Sequence, residues 1–148
     1  MMETNRTNRI KIKDSDIKAI LFRNFAGAPD RYNPNGCMAN FWIVLNDEDR
    51  AKELEDQRLN IRWKPNRDGD MEPRLQLFIR WDKKPPKIFQ KAGDTEVLLN
   101  EDTVSALDYA DILHADLILS PHEYDPVKPM KAYIHLARFV VEDEDWND

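Results

Sequence analysis

The sequence predicts a mainly β protein whose antiparallel sheet closes into a barrel. Short segments that alternate apolar and polar side chains, or that are apolar throughout, recur along the 148 residues. Segments rich in Gly, Pro, Asn and Asp separate them, and only two segments have the capping residues and spacing of short helices. Many short strands without an internal repeat favour a barrel, with a β-sandwich as the rival architecture.

The first half of the chain supplies four predicted strands and one predicted helix. Asn46 or Asp47 can cap a helix over residues 47–57, because carboxylates favour the positive start of a helix. The segment at 17–24 shows little alternation, which predicts a strand covered on both faces. The predicted strands cover residues 9–13, 17–24, 39–45 and 59–64.

The second half supplies the remaining strands and a second short helix. Residues 74–81 alternate cleanly between apolar and polar side chains, and Asn100 or Thr103 can cap a helix over residues 100–110. The predicted strands cover residues 74–81, 87–90, 96–99, 112–119 and 130–141. This order of strands and helices fits the five-stranded Greek-key barrel called the OB fold, with extra strands.

We predict one OB-fold-like domain over residues 1–141, with residues 1–9 mobile, and a disordered acidic tail over residues 142–148. Cys37 is the single cysteine, so no internal disulfide is possible and a reducing cytoplasm is expected. The sequence shows neither a membrane-length apolar run nor an apolar signal segment. A cytoplasmic protein without a membrane partner is therefore expected.

Positive charge is concentrated in residues 58–91. This stretch holds ten Lys or Arg and four Asp or Glu, although the net charge of the chain is -6. Because charges act over a Debye length of about 8–10 Å, the local patch governs attraction of a polyanion. The strands at 59–64 and 74–81 form a predicted hairpin that presents these cations on one side. The predicted phosphate contacts are Arg62, Lys64, Arg74, Arg80, Lys83 and Lys84.

Aromatic rings near this patch can stack on nucleic-acid bases without reading their identity. Phe78 lies on the polar face of its strand and is the first candidate, whereas Trp42 and Trp63 are each ambiguous between core packing and stacking. The turn-rich segment at 25–37 is either a mobile finger that touches nucleic acid or an ordinary hairpin loop. Further candidate contacts, outside the hairpin, are Trp42, Arg31 and Tyr32.

The sequence contains no convincing catalytic constellation. The three histidines lack ligand spacing, and four scattered glycines cannot form a phosphate-binding loop. Asp68, Asp70 and Glu72 could hold a divalent cation for phosphodiester cleavage, but an acidic turn between two strands explains them better. We therefore predict no enzyme activity, no cofactor and no metal.

The carboxyl terminus is a run of carboxylates that contains one tryptophan. Such a run repels itself, so its tryptophan indicates an anchor for a partner's pocket, with a solubilising end as the alternative. The predicted partner-binding residues are Glu142, Asp143, Glu144, Asp145 and Trp146. The same acids could fold back and compete with nucleic acid for the basic surface.

A barrel with a basic, ring-bearing face and an acidic tail resembles bacteriophage single-stranded DNA (ssDNA)-binding proteins, a family that includes the helix-destabilising protein of T7-like phages. Residues 24–40 (NFAGAPDRYNPNGCMAN), 85–87 (PPK) and 99–104 (LNEDTV) are similar to uncharacterised phage proteins of this type. The resemblance implies an OB fold and sequence-independent ssDNA binding during phage replication or recombination in the host cytoplasm. It also implies tail contacts with replication or recombination proteins. In the familiar tails the aromatic residue is last, whereas here two residues follow Trp146.

The leading hypothesis is thus a non-catalytic ssDNA-binding protein. The alternative is an acidic protein-interaction module, such as an inhibitor that mimics DNA through the carboxylates of residues 47–56. The sequence leaves open whether the chain forms a homodimer, how many nucleotides it covers and whether it prefers DNA over RNA.

Overall fold

Nine strands account for about half of the residues that the structure describes. The computed structural model describes residues 9–29, 31, 34–82 and 84–143. The strands are β1 (Ile10–Ile12), β2 (Ile17–Asn24), β3 (Ala39–Leu45), β4 (Ile61–Pro65), β5 (Met71–Ile79), β6 (Lys87–Ala92), β7 (Thr95–Leu99), β8 (Ile112–His122) and β9 (Lys131–Val141). The helices are α1 (Glu48–Asp56) and two 3-10 helices, Asp14–Asp16 and Val104–Asp108. Within the described ranges, no helix has the length and apolar character that a membrane crossing requires.

Local capping chemistry explains where the helices begin. Asp47 caps α1, since its side chain accepts a hydrogen bond from the Asp49 amide at 2.9 Å. The second predicted helix is only a short 3-10 helix. The Asn100 side chain accepts hydrogen bonds from the amides of Asp102 and Thr103, at 2.8 and 3.1 Å, and so holds the preceding residues in a turn.

Hydrogen bonds link the strands into one sheet, with the path β1-β8-β9-β5-β3-β2. β4 pairs with the first half of β5, and β6 pairs with both β7 and β9. The pairings of β5 and β6 with β9 are parallel, and the other pairings are antiparallel. The sheet is therefore mixed, and the prediction of a wholly antiparallel sheet is wrong. The reason is that β9 runs beside β5 and β6 in their own direction.

The sheet is open. Its path ends at β1 and β2, and among the described residues these two strands share no pairing. Between them, Asp14 uses Oδ1 to accept a hydrogen bond from the Ala115 amide at 2.8 Å, and its Oδ2 lies 3.0 Å from His114 Nδ1. These bonds occupy the start of β8, where a continuous first strand would pair. A cavity of about 300 Å³ separates β2 from that part of β8. The predicted closed barrel is therefore wrong.

The core lies on the inward faces of the sheet. Phe41 of β3 and Leu77 of β5 are fully buried, as the alternation of their strands predicts. The ring of Phe41 stacks on Phe25 at 4.8 Å between centroids and meets Phe139 edge-on at 6.0 Å. Since inward positions are filled by apolar side chains, the polar positions of β3 and β5 must face outward.

The described chain ends just after β9. Residues 142 and 143 are exposed and follow the sheet, whereas residues 1–8 and 144–148 lie outside the described residues. The predicted domain boundaries, with a mobile start and an acidic tail, therefore stay predictions.

Candidate nucleic-acid interface

The outward faces of β3 and β5 form a floor of rings and amides. The antiparallel register sets Asn40 opposite Phe78 and Trp42 opposite Gln76. All four side chains are half-buried, whereas the residues between them face the core and are buried. Phe78 and Trp42, both predicted as stacking residues, thus lie on one surface.

These outward faces line an open groove of about 640 Å³, which we call the aromatic groove. Its rings come from Phe22, Trp42 and Phe78, and its cations are Lys64 and Arg74. Rings that can stack on bases therefore stand beside cations that can neutralise phosphates, which is the combination that binds single-stranded nucleic acid.

Phe22 enters the groove through an irregularity that we did not predict. A register shift between Leu21 and Asn24 marks a bulge in β2, and Phe22 has a φ of 53°. This left-handed region costs a bulky residue about 1–2 kcal/mol, and such strain concentrates at functional sites. The ring is 66% exposed, and the Arg74 guanidinium lies 5.9 Å from its centroid. The only sequence signal was the weak alternation of residues 17–24.

β9 extends the line of rings beyond β5. Its parallel register sets Tyr133 beside Phe78, with ring centroids 5.9 Å apart. Lys131 Nζ lies 5.5 Å from the Phe78 centroid, a distance that allows a cation–π contact. Sequence reasoning missed both β9 residues, because a parallel pairing between distant strands leaves no local pattern. We call the resulting set the aromatic row: Phe22, Trp42, Phe78 and Tyr133.

The β4–β5 hairpin supplies cations to the groove, as predicted from its pattern. Its register sets Arg62 opposite Arg74 and Lys64 opposite Glu72, all on the outward face. The Glu72 carboxylate lies 3.0 Å from the Arg74 guanidinium, so it fixes that side chain beside the groove and offsets part of its charge. Arg62 and Lys64 are exposed. The structure therefore brings three of the predicted phosphate contacts together, namely Arg62, Lys64 and Arg74.

Arg80 and Lys84 lie beyond the end of β5, next to Tyr133 and apart from the groove. Arg80 Nε donates to Asp82 Oδ1 at 2.8 Å, and this carboxylate raises the pKa of Arg80 above its ordinary value. Lys84 is exposed and lines a second cavity together with Arg80 and Tyr133. Arg80 and Lys84 therefore lie where a nucleic-acid strand would pass after it leaves the aromatic row.

Trp63 lies on the opposite face of its strand from the groove cations. It stands opposite Pro73 in the hairpin, and its half-buried ring packs against the core. Its Nε1 donates to Glu55 Oε2 of α1 at 3.3 Å. Of the two ambiguous tryptophans, Trp42 therefore lines the groove and Trp63 packs against the core.

The loop between β2 and β3 is fixed at its base. Asn24 Oδ1 accepts a hydrogen bond from the Ala28 amide at 2.8 Å. Gly27 has a φ of 65°, and a Cβ on it would lie 2.5 Å from the Cys37 carbonyl oxygen, so only glycine fits there. This base forms one edge of the aromatic groove, through Asn24 and Cys37.

The remaining predicted contacts are only partly described. Arg31 is exposed in the β2–β3 loop, and Glu142 and Asp143 are exposed after β9. The Glu142 amide donates to the Asp111 carbonyl oxygen at 2.9 Å. The predicted residues that lie outside the described residues are Tyr32, Lys83, Glu144, Asp145 and Trp146.

The acidic segment considered as a cation site is a tight turn held by backbone amides, followed by an ion-paired glutamate. Asn66 Oδ1 accepts hydrogen bonds from the amides of Asp68 and Asp70, at 2.9 and 3.1 Å, which is the geometry of a tight turn. Glu72 belongs to the ion pair with Arg74. In the described part of the chain, no three His, Cys, Asp or Glu side chains are grouped so that they could hold a metal ion.

Comparison with known proteins gives one match. The sequence model of the family described as "Putative phage ssDNA-binding domain" matches residues 2–147. No curated protein and no solved structure matches the chain.

Proposed function

Because the chain belongs to the family of phage ssDNA-binding domains, we propose that it binds ssDNA in the aromatic groove without reading base sequence. The observation that carries this proposal is the aromatic row, which crosses β2, β3, β5 and β9 on one outer surface beside the hairpin cations. Each base stacked on a ring contributes about 1–3 kcal/mol, and every base has a face to stack. The role is one of binding and protecting single strands, without catalysis.

The amides in the groove support binding that ignores sequence. Gln76 Nε2 donates to Asn40 Oδ1 at 3.1 Å, and Asn40 Nδ2 donates to the Met38 carbonyl oxygen at 2.8 Å. These bonds occupy the Asn40 carbonyl oxygen and one N–H of each amide, so fewer groups remain to read the edge of a base. Stacking and charge then dominate, and both tolerate any base.

We also propose that the strand connectivity is that of an OB fold with one unclosed seam. The two ends of the path, β1 and β2, are consecutive in the chain and are separated only by the 3-10 helix Asp14–Asp16. We treat β1 and β2 as the two halves of one broken first strand. The first half pairs with β8 and the second half pairs with β3. The strands next along the path, β5 and β9, then pair in parallel. Amide hydrogen exchange tests the seam, because β2 amides facing it should exchange faster than amides of β3.

The proposal includes the acidic tail. Its carboxylates would compete with DNA for the groove cations, and its tryptophan would anchor replication or recombination proteins. Glu142 and Asp143 are exposed where the tail leaves β9, which is consistent with a tail accessible to partners.

A fluorescence titration with oligo-dT at several salt concentrations tests DNA binding. If about four phosphates are neutralised, log K should fall against log salt with a slope near -3, from roughly 0.7 per contact on single strands. Phe78→Ala should weaken binding by about 5- to 100-fold at every salt concentration, because it removes one stacking surface.

Tyr109→Ala is the matched control, since it removes another exposed ring that does not line the groove. It should bind as the unaltered chain does. Arg74→Gln should, in addition to weakening binding, flatten the salt slope. Equal affinity in all three variants would reject the groove as the site. Absence of binding at low salt would reject ssDNA binding altogether and favour the acidic interaction module.

A further inference from the structure

A second cavity begins where the aromatic row ends. Its volume is about 310 Å³, and Tyr133 belongs both to the row and to its lining. His122 packs edge-on against Tyr133 with ring centroids 6.0 Å apart, and it belongs to β8, which pairs with β9 on the side away from β5 and Phe78. A strand that stacks along the row and passes Tyr133 would therefore enter this cavity next.

The second cavity is lined by cationic and imidazole side chains. Arg9 Nη1 lies 2.8 Å from His135 Nε2. Because a guanidinium can only donate, Nε2 accepts, and the imidazole is neutral with its proton on Nδ1. Arg80 and Lys84 complete the charged lining. No carboxylate is found among the described residues that line the cavity.

Lys87 adds a further positive charge at the edge of this cavity. It is the first residue of β6 and stands opposite Leu136, the neighbour of His135, in the parallel pairing with β9. Partial burial of the ring, followed by the charges of Arg9 and Lys87, lowers the pKa of His135 from its ordinary value. Like charges thus meet at His135, and an anion placed among them would relieve their repulsion.

We propose that this cavity is a phosphate subsite, in which the Arg9 and Lys84 side chains, with Lys87 at its edge, hold a backbone phosphate of ssDNA that has passed Tyr133. The guanidinium of Arg9 can bind two phosphate oxygens at once, whereas each lysine acts as a point charge. The inference rests on the proposed ssDNA binding and deepens it, since it assigns a path for the strand beyond the aromatic groove. A longer oligonucleotide should therefore contact residues that a short one never reaches.

The test compares short and long oligo-dT in the full chain. We would first measure the oligo-dT length at which affinity stops rising. Then Arg9→Gln with Lys87→Gln should weaken binding of the long oligonucleotide by about 10- to 30-fold at about 0.1 M salt, because two phosphate contacts at roughly 0.7 each contribute about 1.4 log units there. The salt slope on the long oligonucleotide should fall by about 1.4, which is roughly 0.7 for each lost contact. Binding of the shortest oligonucleotide that needs Phe78 should stay unchanged, which also shows that the double variant is folded.

Lys52→Gln is the control for loss of a surface cation away from the proposed path, because Lys52 is exposed on α1 and lines neither cavity. It should leave both oligonucleotides unaffected. Oligonucleotides with and without a terminal phosphate distinguish the source of the anion. An effect of the double variant that depends on a terminal phosphate would overturn the proposal in favour of a strand-end site.

Failure of this inference can be told apart from failure of the proposed function. If long and short oligonucleotides both bind through Phe78 and the double variant binds them as the unaltered chain does, the subsite is rejected and ssDNA binding stands. If neither oligonucleotide binds the unaltered chain, both are rejected.

Discussion

Phe22 combines an unfavourable backbone conformation with an exposed aromatic ring. Its φ of 53° is unfavourable for a side chain with a Cβ, and its ring gains little burial in return. The contact with the Arg74 guanidinium offsets only part of this strain energy. Under the proposed function, the exposed ring is a stacking surface for a base.

Replacing Phe22 separates the strain from the ring. Phe22→Gly and Phe22→Ala should each weaken oligo-dT binding by about 5- to 100-fold, since both remove a stacking surface. Phe22→Gly should be more stable than Phe22→Ala by about 1 kcal/mol, because glycine accepts a positive φ without a steric penalty. Urea unfolding and fluorescence titration measure the two effects. Equal stability of the two variants would contradict a strained backbone at this position.

Protonation of His135 should make ssDNA binding depend on pH. Its pKa lies below the ordinary value, so the ring is neutral near pH 7 and becomes charged as the pH falls. A bound phosphate favours the charged ring. Affinity for long oligo-dT should therefore increase as the pH is lowered from about 8 to about 5.5. The described charged or titratable groups on its cavity are Arg9, Arg80, Lys84, Lys87, His122 and Tyr133.

Stability should change in the opposite direction. A histidine whose folded pKa is lowered contributes stability above its unfolded pKa, and this contribution is lost as the pH falls through the folded value. In His135→Gln, both the change of affinity with pH and the change of stability with pH should be smaller. Fluorescence titration and urea unfolding, each at about pH 8 and about pH 5.5, measure them. His114→Gln is the control on another exposed histidine, which lies beside Asp14 instead. An identical pH dependence in His135→Gln and the unaltered chain would refute this role.

At the scale of elements, the β2–β3 loop and the β4–β5 hairpin frame the groove. The hairpin could be predicted from sequence, because both its strands alternate and its turn is rich in Asn, Asp and Gly. Alternation also predicted which face of β5 points outward. It left Trp42 and Trp63 undecided, since each could be packed inside or stacked outside. The structure places Trp42 on the outward face that lines the groove and Trp63 against the core, where it contacts Glu55.

Gly27 should be required for the shape of the β2–β3 loop. Gly27→Ala should destabilise the protein by about 2 kcal/mol or more, because the new Cβ would meet the Cys37 carbonyl oxygen in addition to the strained φ. Gly69→Ala is the matched control, since Gly69 also has a positive φ but has no atom within 4 Å of a built Cβ. It should cost only about 1 kcal/mol. Urea unfolding measures both, and equal losses would show that the close approach at Gly27 is unimportant.

At the scale of the molecule, charge is divided between a basic outer face and an acidic end. The net charge of -6 would repel DNA if it were spread evenly, but five of the carboxylates lie in residues 142–148. Arg62 and Arg74 are cross-strand neighbours and Lys64 belongs to the same hairpin, so these cations act together, whereas salt screens the charges that lie farther away.

Removal of the tail should therefore strengthen DNA binding. A chain that ends at Val141 loses the five carboxylates and should bind oligo-dT several-fold more tightly at low salt, with a smaller gain at high salt. A full-length chain with these acids changed to the matching amides should behave like the truncated chain. Unchanged affinity in both would exclude a tail that competes for the groove.

Sequence by itself determined the positions of most strands, the capped start of α1 and the outward face that carries Phe78. These features depend on periodicity and capping between residues close in the chain. The tertiary structure decided that the sheet is mixed and open, that Phe22 turns outward at a bulge, and that Tyr133 continues the aromatic row. It also brought Arg9 and Lys87 to His135. Such features depend on which distant strands pair and in which register, and no local pattern in the sequence records that choice.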